Sequence, residues 1–253
     1  MVVSDSPQPV AFVTGASSGI GRAIALRLAK EGYRIAICAR RKHQLQLLQQ
    51  DLEALGAEVL AQQADLRREA EILDCFAQIR STWGGVDVMV NNAGLGHQAS
   101  LISGETDAWR EMLEVNVLAL CICTREAVKD MQINESKGHV IHISSMAGHR
   151  IPAIGGLYSA SKFAVRSLTE GLRRELRAAQ SPIRVSSISP GFVETEFAEK
   201  YSKSKSIEQA RQTYSQFPVL QPEDIADAVA YVLNQPEHVQ IHDILVRPTR
   251  QPS

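Results

Sequence analysis

The sequence predicts an α/β fold: a mostly parallel sheet of seven strands with helices packed on both faces. Three observations carry that prediction. Apolar runs suited to strands alternate with helical stretches from end to end, the pattern of strand–helix–strand units that builds a parallel sheet. The 253 residues suit one large domain able to bury a substantial core. A glycine-rich turn joins the first strand run to the first helical stretch.

Taken in order, Pro9-Val10-Ala11-Phe12-Val13 opens as a short buried strand over 10–14. It runs into Thr14-Gly15-Ala16-Ser17-Ser18-Gly19-Ile20-Gly21 and an alanine-rich helix over 19–31. Glycines let the chain turn tightly there and approach a diphosphate, and the helix aims its positive end at the anion. Strand 34–39 ends in Ala39-Arg40-Arg41-Lys42, at the head of helix 41–55. Strand 57–61 leads through Ala64-Asp65-Leu66 to helix 67–82, and strand 86–90 into Asn91-Asn92-Ala93-Gly94. A long helix over 105–132 contains Asn116, a residue type that is locally unfavourable inside a helix. Strand 138–144 precedes Ser145, helix 157–179 begins with Tyr158 and Lys162, and strand 183–188 runs into Ser189-Pro190-Gly191. Residues 192–217, including Phe192, Phe197, Tyr201, Ser204, Tyr214 and Phe217, carry no strand signal. They read either as a solvated loop-helix or as a lid over a substrate. Helix 222–234 and strand 240–246 follow, and with no repeat, linker or low-complexity tract the whole of 1–253 is expected to be one domain.

Tyr158 and Lys162 lie four residues apart, and Ser145 lies thirteen residues before the tyrosine. Four residues is about one helical turn, so phenol and ammonium share a helix face. A free tyrosine has a pKa of about 10, leaving roughly one in a thousand ionised at neutral pH. A cation held close favours the phenolate. Such a tyrosine can donate a proton to a carbonyl oxygen or remove one from an alcohol. Ser145, arriving from a neighbouring strand, can hydrogen-bond the same oxygen where negative charge develops.

The glycine loop, Asn91-Asn92-Ala93-Gly94, Ser145, Tyr158-Ser159-Ala160-Ser161-Lys162 and Ser189-Pro190-Gly191 together resemble the short-chain dehydrogenase/reductase family, in its usual order. The likeness covers nearly the whole chain and implies a Rossmann-type doubly wound sheet. Val115 to Leu120, Cys123 to Ala127, Ile143 to Arg150 and Ile244 to Thr249 resemble the dehydrogenase/reductase member 11 group. The Arg247-Pro248-Thr249 ending is similar to that of bacterial 3-hydroxy-acid and clavulanate-type dehydrogenases.

What the resemblance implies is an NADPH-dependent carbonyl reductase, or reversible secondary-alcohol dehydrogenase. Tyr158 would be the general acid and base, Lys162 would lower its pKa and bond the nicotinamide ribose, and Ser145 would polarise the substrate carbonyl. Asn116 would disturb its helix and hold a water linked to Lys162. The cofactor would meet Gly15, Ser17, Ser18, Gly19, Ile20 and Gly21 at the diphosphate. Asp65 and Leu66 would lie at the adenine, Asn92, Ala93 and Gly94 after the fourth strand, and Pro190, Gly191, Val193 and Thr195 near the nicotinamide.

An acidic residue normally ends the second strand and selects NAD; residues 39–42 contain no carboxylate. Arginine can pair with the 2′-phosphate of NADP, so Arg40 is expected to bind it, with Arg41 assisting and NADP(H) as the cofactor. A solvated basic helix start is the alternative there, and a helix N-cap is an equal role for Asp65. His97, His149 and Arg150 fall where relatives have substrate loops, as do Phe197 and Tyr201 of the lid, whereas His142 reads as a hydrogen-bonded core residue.

Other functions fit less well. A 3-oxoacyl-carrier-protein reductase shares the machinery, but such chains end in a glycine-rich strand. A catalytically inactive NADP-binding sensor would lose the tyrosine or lysine that this chain keeps. The formal net charge of −1 gives no general attraction to nucleic acid or anionic membrane. No apolar run reaches the eighteen or so residues needed to span a bilayer. The first nine residues lack the layout of a signal peptide, so a cytoplasmic location is expected. Four cysteines, Cys38, Cys75, Cys121 and Cys123, show no metal-like spacing, and no metal is expected. Apolar residues beyond one stripe on the helices at 105–132 and 157–179 suggest a homodimer or homotetramer. They are Met112, Val115, Val117, Leu118 and Leu120, and Phe163, Ala164, Leu168 and Leu172.

Overall fold

The computed structural model describes residues 8–135, 137–151, 156–197, 201 and 217–251. Seven strands form one sheet in the order β3-β2-β1-β4-β5-β6-β7, and every pairing is parallel. They are β1 (Val10–Thr14), β2 (Arg34–Ala39), β3 (Val59–Gln63), β4 (Val88–Asn91), β5 (His139–Ile143), β6 (Arg184–Pro190) and β7 (Asp243–Val246). Among the described residues the helices are α1 (Gly19–Lys30), α2 (Lys42–Ala54), α3 (Glu69–Trp83), α4 (Thr106–Leu113), α5 (Ala119–Ile133), α6 (Gly156–Ala178) and α7 (Pro222–Leu233). A π-helical turn (Glu114–Leu118) links α4 to α5.

The strands are buried on both sides because alternate residues feed two cores. Ala11, Val13, Ile35 and Ile37 pack against α1, α2 and α7, through Ile24, Leu28, Leu48, Leu52, Ile225 and Val229. Val10, Phe12, Ala36 and Met89 face α3 and α5, through Ile72, Phe76, Ile122 and Met131. The strand order reverses between β1 and β4, which opens a crevice at their C-terminal ends, the place where doubly wound sheets take ligands.

Three of the departures from the expected boundaries have a clear local cause. The third strand lies two residues further on because Gly56, at φ 85°, and Ala57 close α2, whose Leu52 carbonyl accepts the Ala57 amide. The last strand begins at Asp243 rather than 240, since Gln240 meets β6 through its side chain, accepting the Val185 amide at 2.9 Å. The long helix is broken by the π turn, whose centre is Asn116. The greater part of the expected lid, with Ser204 and Tyr214, lies outside the described residues. Cys38, Cys75 and Cys123 are free buried thiols, and Cys121 is free and half-buried.

Candidate active site

The glycine loop leaves β1 at the crevice. Gly15 and Gly19 take φ values of 66° and 55°, which side chains other than glycine's seldom tolerate. A Cβ on Gly15 would lie 2.8 Å from the Ala93 backbone, and one on Gly21 would lie 2.4 Å from Asn92 Nδ2. Thr14 Oγ1 accepts the Asn92 and Ala93 amides, each at 3.1 Å, and Asn92 Nδ2 donates to the Thr14 carbonyl at 2.8 Å. The ends of β1 and β4 are thereby locked together. Ser18 stands at the cap position of α1 without a side-chain hydrogen bond to the helix backbone, and α1 has no acidic residue in its first turn, whereas α3 has Glu69 and Glu71. The N-terminus of α1 thus keeps its positive field for an anion.

A second group gathers around α6. Lys162 is only 6% exposed and its Nζ donates to the Ile143 carbonyl at 3.0 Å, two residues before Ser145. Burial lowers its pKa to about 8. That ammonium lies 6.0 Å from the centre of the Tyr158 ring. Ser145 Oγ accepts the Ala147 amide at 3.1 Å and starts a short 3₁₀ turn, Met146–Gly148. Ser159 Oγ donates to the Ala147 carbonyl at 2.6 Å, and a Cβ on Gly148 would lie 2.8 Å from the Lys162 carbonyl. The turn carrying Ser145 is in this way seated on the helix carrying Tyr158 and Lys162.

Asn116 joins this group to the loop after β4. Its Oδ1 accepts the Leu95 amide at 2.9 Å, and its Nδ2 donates to the Leu95 carbonyl at 2.8 Å and to Ser161 Oγ at 3.0 Å. Ser161 in turn donates to the Tyr158 carbonyl at 2.7 Å. A Cβ on Gly94 would stand 3.4 Å from Asn116 Oδ1 and 3.6 Å from Lys162 Nζ. Gly94 is exposed, so its missing side chain leaves open surface beside the buried ammonium.

The short-chain dehydrogenase family profile matches residues 9–206, which span the glycine loop, Asn116, Ser145, Tyr158 and Lys162. The chain belongs to the short-chain dehydrogenase/reductase family. As a member of it, the protein is an oxidoreductase with the Rossmann-type sheet described above. It is 48% identical to the human dehydrogenase/reductase SDR family member 11 over 247 residues, 96% of this chain and 95% of that protein. Farnesol dehydrogenase of Aedes aegypti is 40% identical over 94% of this chain and 95% of its own length. Among solved structures, the closed form of a serine dehydrogenase complexed with NADP+ superposes with a TM-score of 0.89 at 32% identity, covering 96% of each chain.

Within this short-chain fold the two basic residues after β2 part company. Arg40 turns to Glu111 at 3.5 Å and its side chain is 56% exposed. Arg41 lies on the glycine loop, bonding Ser17 Oγ at 3.1 Å and Ser18 Oγ at 2.6 Å. Asp65 is not the cap of α3, which starts at Glu69 with Arg68 in the cap position. The Asp65 carboxylate is instead held by the Arg67 side chain and amide, and that side-chain bonding keeps it below the usual carboxylate range. Leu66 is buried beside it. On the other flank, Pro190 ends β6 and the Gly191 amide donates to the Val246 carbonyl at 2.7 Å. Val193 bridges Leu220, and Thr195 rests its methyl 2.9 Å from where a Gly19 Cβ would stand.

On the substrate side, Phe197 and Tyr201 pack on Tyr158 with ring centroids 5.5 and 5.6 Å away. The two histidines expected there each have protein partners. His97 Nε2 pairs with Glu111 at 2.8 Å. His149 Nε2 meets Ser189 Oγ at 2.9 Å and Asp243 at 3.5 Å, and burial, opposed by the Asp243 carboxylate, lowers its pKa. Arg150 is exposed on the same loop. His142 is a core residue, as read from the sequence. It bridges Thr124 Oγ1 at 3.1 Å and Thr169 Oγ1 at 2.8 Å, and Asn91 Nδ2 donates to Thr124 at 3.0 Å. Glu111 and Glu196 escaped the sequence reading. Each lies far along the chain from the arginine it meets, and nothing local announces such a pairing.

Proposed function

We propose that the protein is an NADPH-dependent carbonyl reductase, run in reverse as a secondary-alcohol dehydrogenase, with Tyr158 as general acid and base. The observation that carries the reading is Lys162: a buried ammonium one turn after Tyr158, 6.0 Å from its ring, beside the open surface at Gly94. The residues present fit the dinucleotide. The uncapped end of α1 and the glycine loop would hold the diphosphate, Arg40 and Arg41 the 2′-phosphate, and Lys162 the nicotinamide ribose at Gly94. The NADP+ in the serine dehydrogenase structure supports that choice. When bound, the nicotinamide supplies a hydride to the carbonyl carbon or accepts one from the alcohol.

The chain supplies the proton and the positioning. In reduction Tyr158 gives its phenolic proton to the carbonyl oxygen, and in oxidation it takes the proton back. Lys162 opposes the charge left on the phenolate. Ser145 Oγ donates to the same substrate oxygen as charge builds there. Asn116 holds the Leu95 loop and, through Ser161, the first turn of α6. Phe197 and Tyr201 shield Tyr158 from water and favour an apolar ketone or secondary alcohol.

Among the described residues no helix is long and apolar enough to cross a membrane. The free cysteines fit a reducing compartment, and we place the protein in the cytoplasm. We also read it as a homo-oligomer, a homotetramer or homodimer, from apolar surface on the two long helical segments. Leu113, Leu118 and Phe163 are exposed there, whereas Met112 and Leu120 belong to the core.

The test is Tyr158→Phe, followed by NADPH oxidation with a panel of apolar ketones. Turnover should be abolished while NADPH binding, read by fluorescence, stays within about two-fold of wild type, a difference of roughly 0.4 kcal/mol. Retained turnover, or parallel loss of binding and turnover, overturns the assignment.

A further inference from the structure

The segment after β6 is fastened to the glycine loop at one charged cluster. Arg41 Nε and Nη2 reach Ser17 Oγ at 3.2 and 3.1 Å, and Nη2 reaches Ser18 Oγ at 2.6 Å. The remaining nitrogen, Nη1, donates to both oxygens of Glu196 at 3.1 and 2.9 Å. Ser18 Oγ donates to the same carboxylate at 3.4 Å. Glu196 thus reaches the loop from 155 residues beyond Arg41, directly after Thr195, whose methyl abuts Gly19.

A phosphate accepts the same charge-assisted bonds from a guanidinium as a carboxylate does. With Ser17 and Ser18 on two of the Arg41 nitrogens, Nη1 is the group a 2′-phosphate would take, and Glu196 already holds it. A carboxylate that stayed in place would also set its own negative charge against that of the phosphate. We infer that Glu196 is a specificity-determining residue: it competes with the 2′-phosphate for Arg41 and so limits the preference for NADP over NAD. The inference rests on the NADP reading above and adds a residue that opposes it. Arg40 bears a looser counterpart in Glu111, at 3.5 Å, so Arg41 is where the competition is direct.

The probes are 2′,5′-ADP and 5′-ADP, used with the purified full chain and followed by isothermal titration calorimetry at fixed ionic strength. Wild type is compared with Glu196→Gln, which keeps the size of the side chain and one acceptor oxygen and removes its charge. The ratio of the 5′-ADP to the 2′,5′-ADP dissociation constant should rise about ten-fold in the variant. Ten-fold is about 1.4 kcal/mol, close to the low end of the scale for one charge-assisted hydrogen bond, here the Arg41 Nη1 bond that Glu196 would no longer hold as a carboxylate. The gain should shrink as salt is raised. Without the Arg41 guanidinium there is nothing to compete for, so adding Glu196→Gln to Arg41→Met should change the ratio much less than Glu196→Gln does alone. A wild-type ratio well above one that Glu196→Gln leaves unchanged or lowers overturns the role of Glu196 alone. A ratio near one in both proteins overturns the NADP reading itself.

Discussion

Replacing Asn116 by alanine tests whether the π turn holds the site together. The side chain is buried and makes three hydrogen bonds, two to the backbone of Leu95 and one to Ser161. Ser161 keeps its bond to the Tyr158 carbonyl, so the groups left without partners are the Leu95 amide and carbonyl. An orphaned buried polar group costs about 1–3 kcal/mol. Leu95 is half-buried, which favours the lower part of that range and a total of about 3 kcal/mol. For a domain of this size each kcal/mol moves Tm by about 2–4 °C, so Tm should fall by about 6–12 °C. Asn116→Asp keeps an acceptor for the Leu95 amide but loses both donors, and should fall comparably. Calorimetry gives Tm, and turnover is measured at 25 °C, where the variant stays folded. Turnover should drop by more than about ten-fold, the effect of about 1.4 kcal/mol of lost transition-state alignment, because Gly94 and Lys162 border the loosened loop and the first turn of α6, with Tyr158, loses its tie to Asn116 through Ser161. A Tm within about 2 °C of wild type, less than the shift expected from 1 kcal/mol, together with unchanged turnover would refute the bracing argument.

Acid should weaken the fold through His139 and His142. Burial lowers the pKa of both to about 3, with Arg184 adding to the effect at His139 and Arg173 and Lys162 at His142. The unfolded chain protonates them near pH 6.5, so their stabilising contribution is present above that pH and is lost as pH falls from about 6.5 towards 3. At pH 5 each costs about 2 kcal/mol. Tm measured across this window should fall, and His142→Asn should fall less steeply; equal slopes would remove His142 from the account. For assembly, light scattering at micromolar concentration should give a dimer or tetramer, and a fully active monomer would overturn the homo-oligomer.

The sequence by itself determined a good deal of this protein. Alternating strand and helix runs specified a parallel sheet, because strands covered on both faces need little beyond local apolar character and short turns. The chemistry-bearing pattern was equally legible where it is local. Tyr158 and Lys162 share a helix turn, and the glycines that let β1 approach β4 sit in one run. Asn116 was readable as a fault in its helix, and the π turn is that fault.

Tertiary structure decided what depends on long separations and on the direction of flexible side chains. Arg40 and Arg41 are adjacent in sequence and equally basic, yet one turns to Glu111 and the other to Ser17, Ser18 and Glu196. His97 and His149 stand on loops near the site, but nearby carboxylates engage both. Asp65 had a cap's position in the pattern until Arg67 took its carboxylate. In each case the outcome is an electrostatic choice among partners that only the folded chain brings within reach, and the linear order of residues holds no record of it.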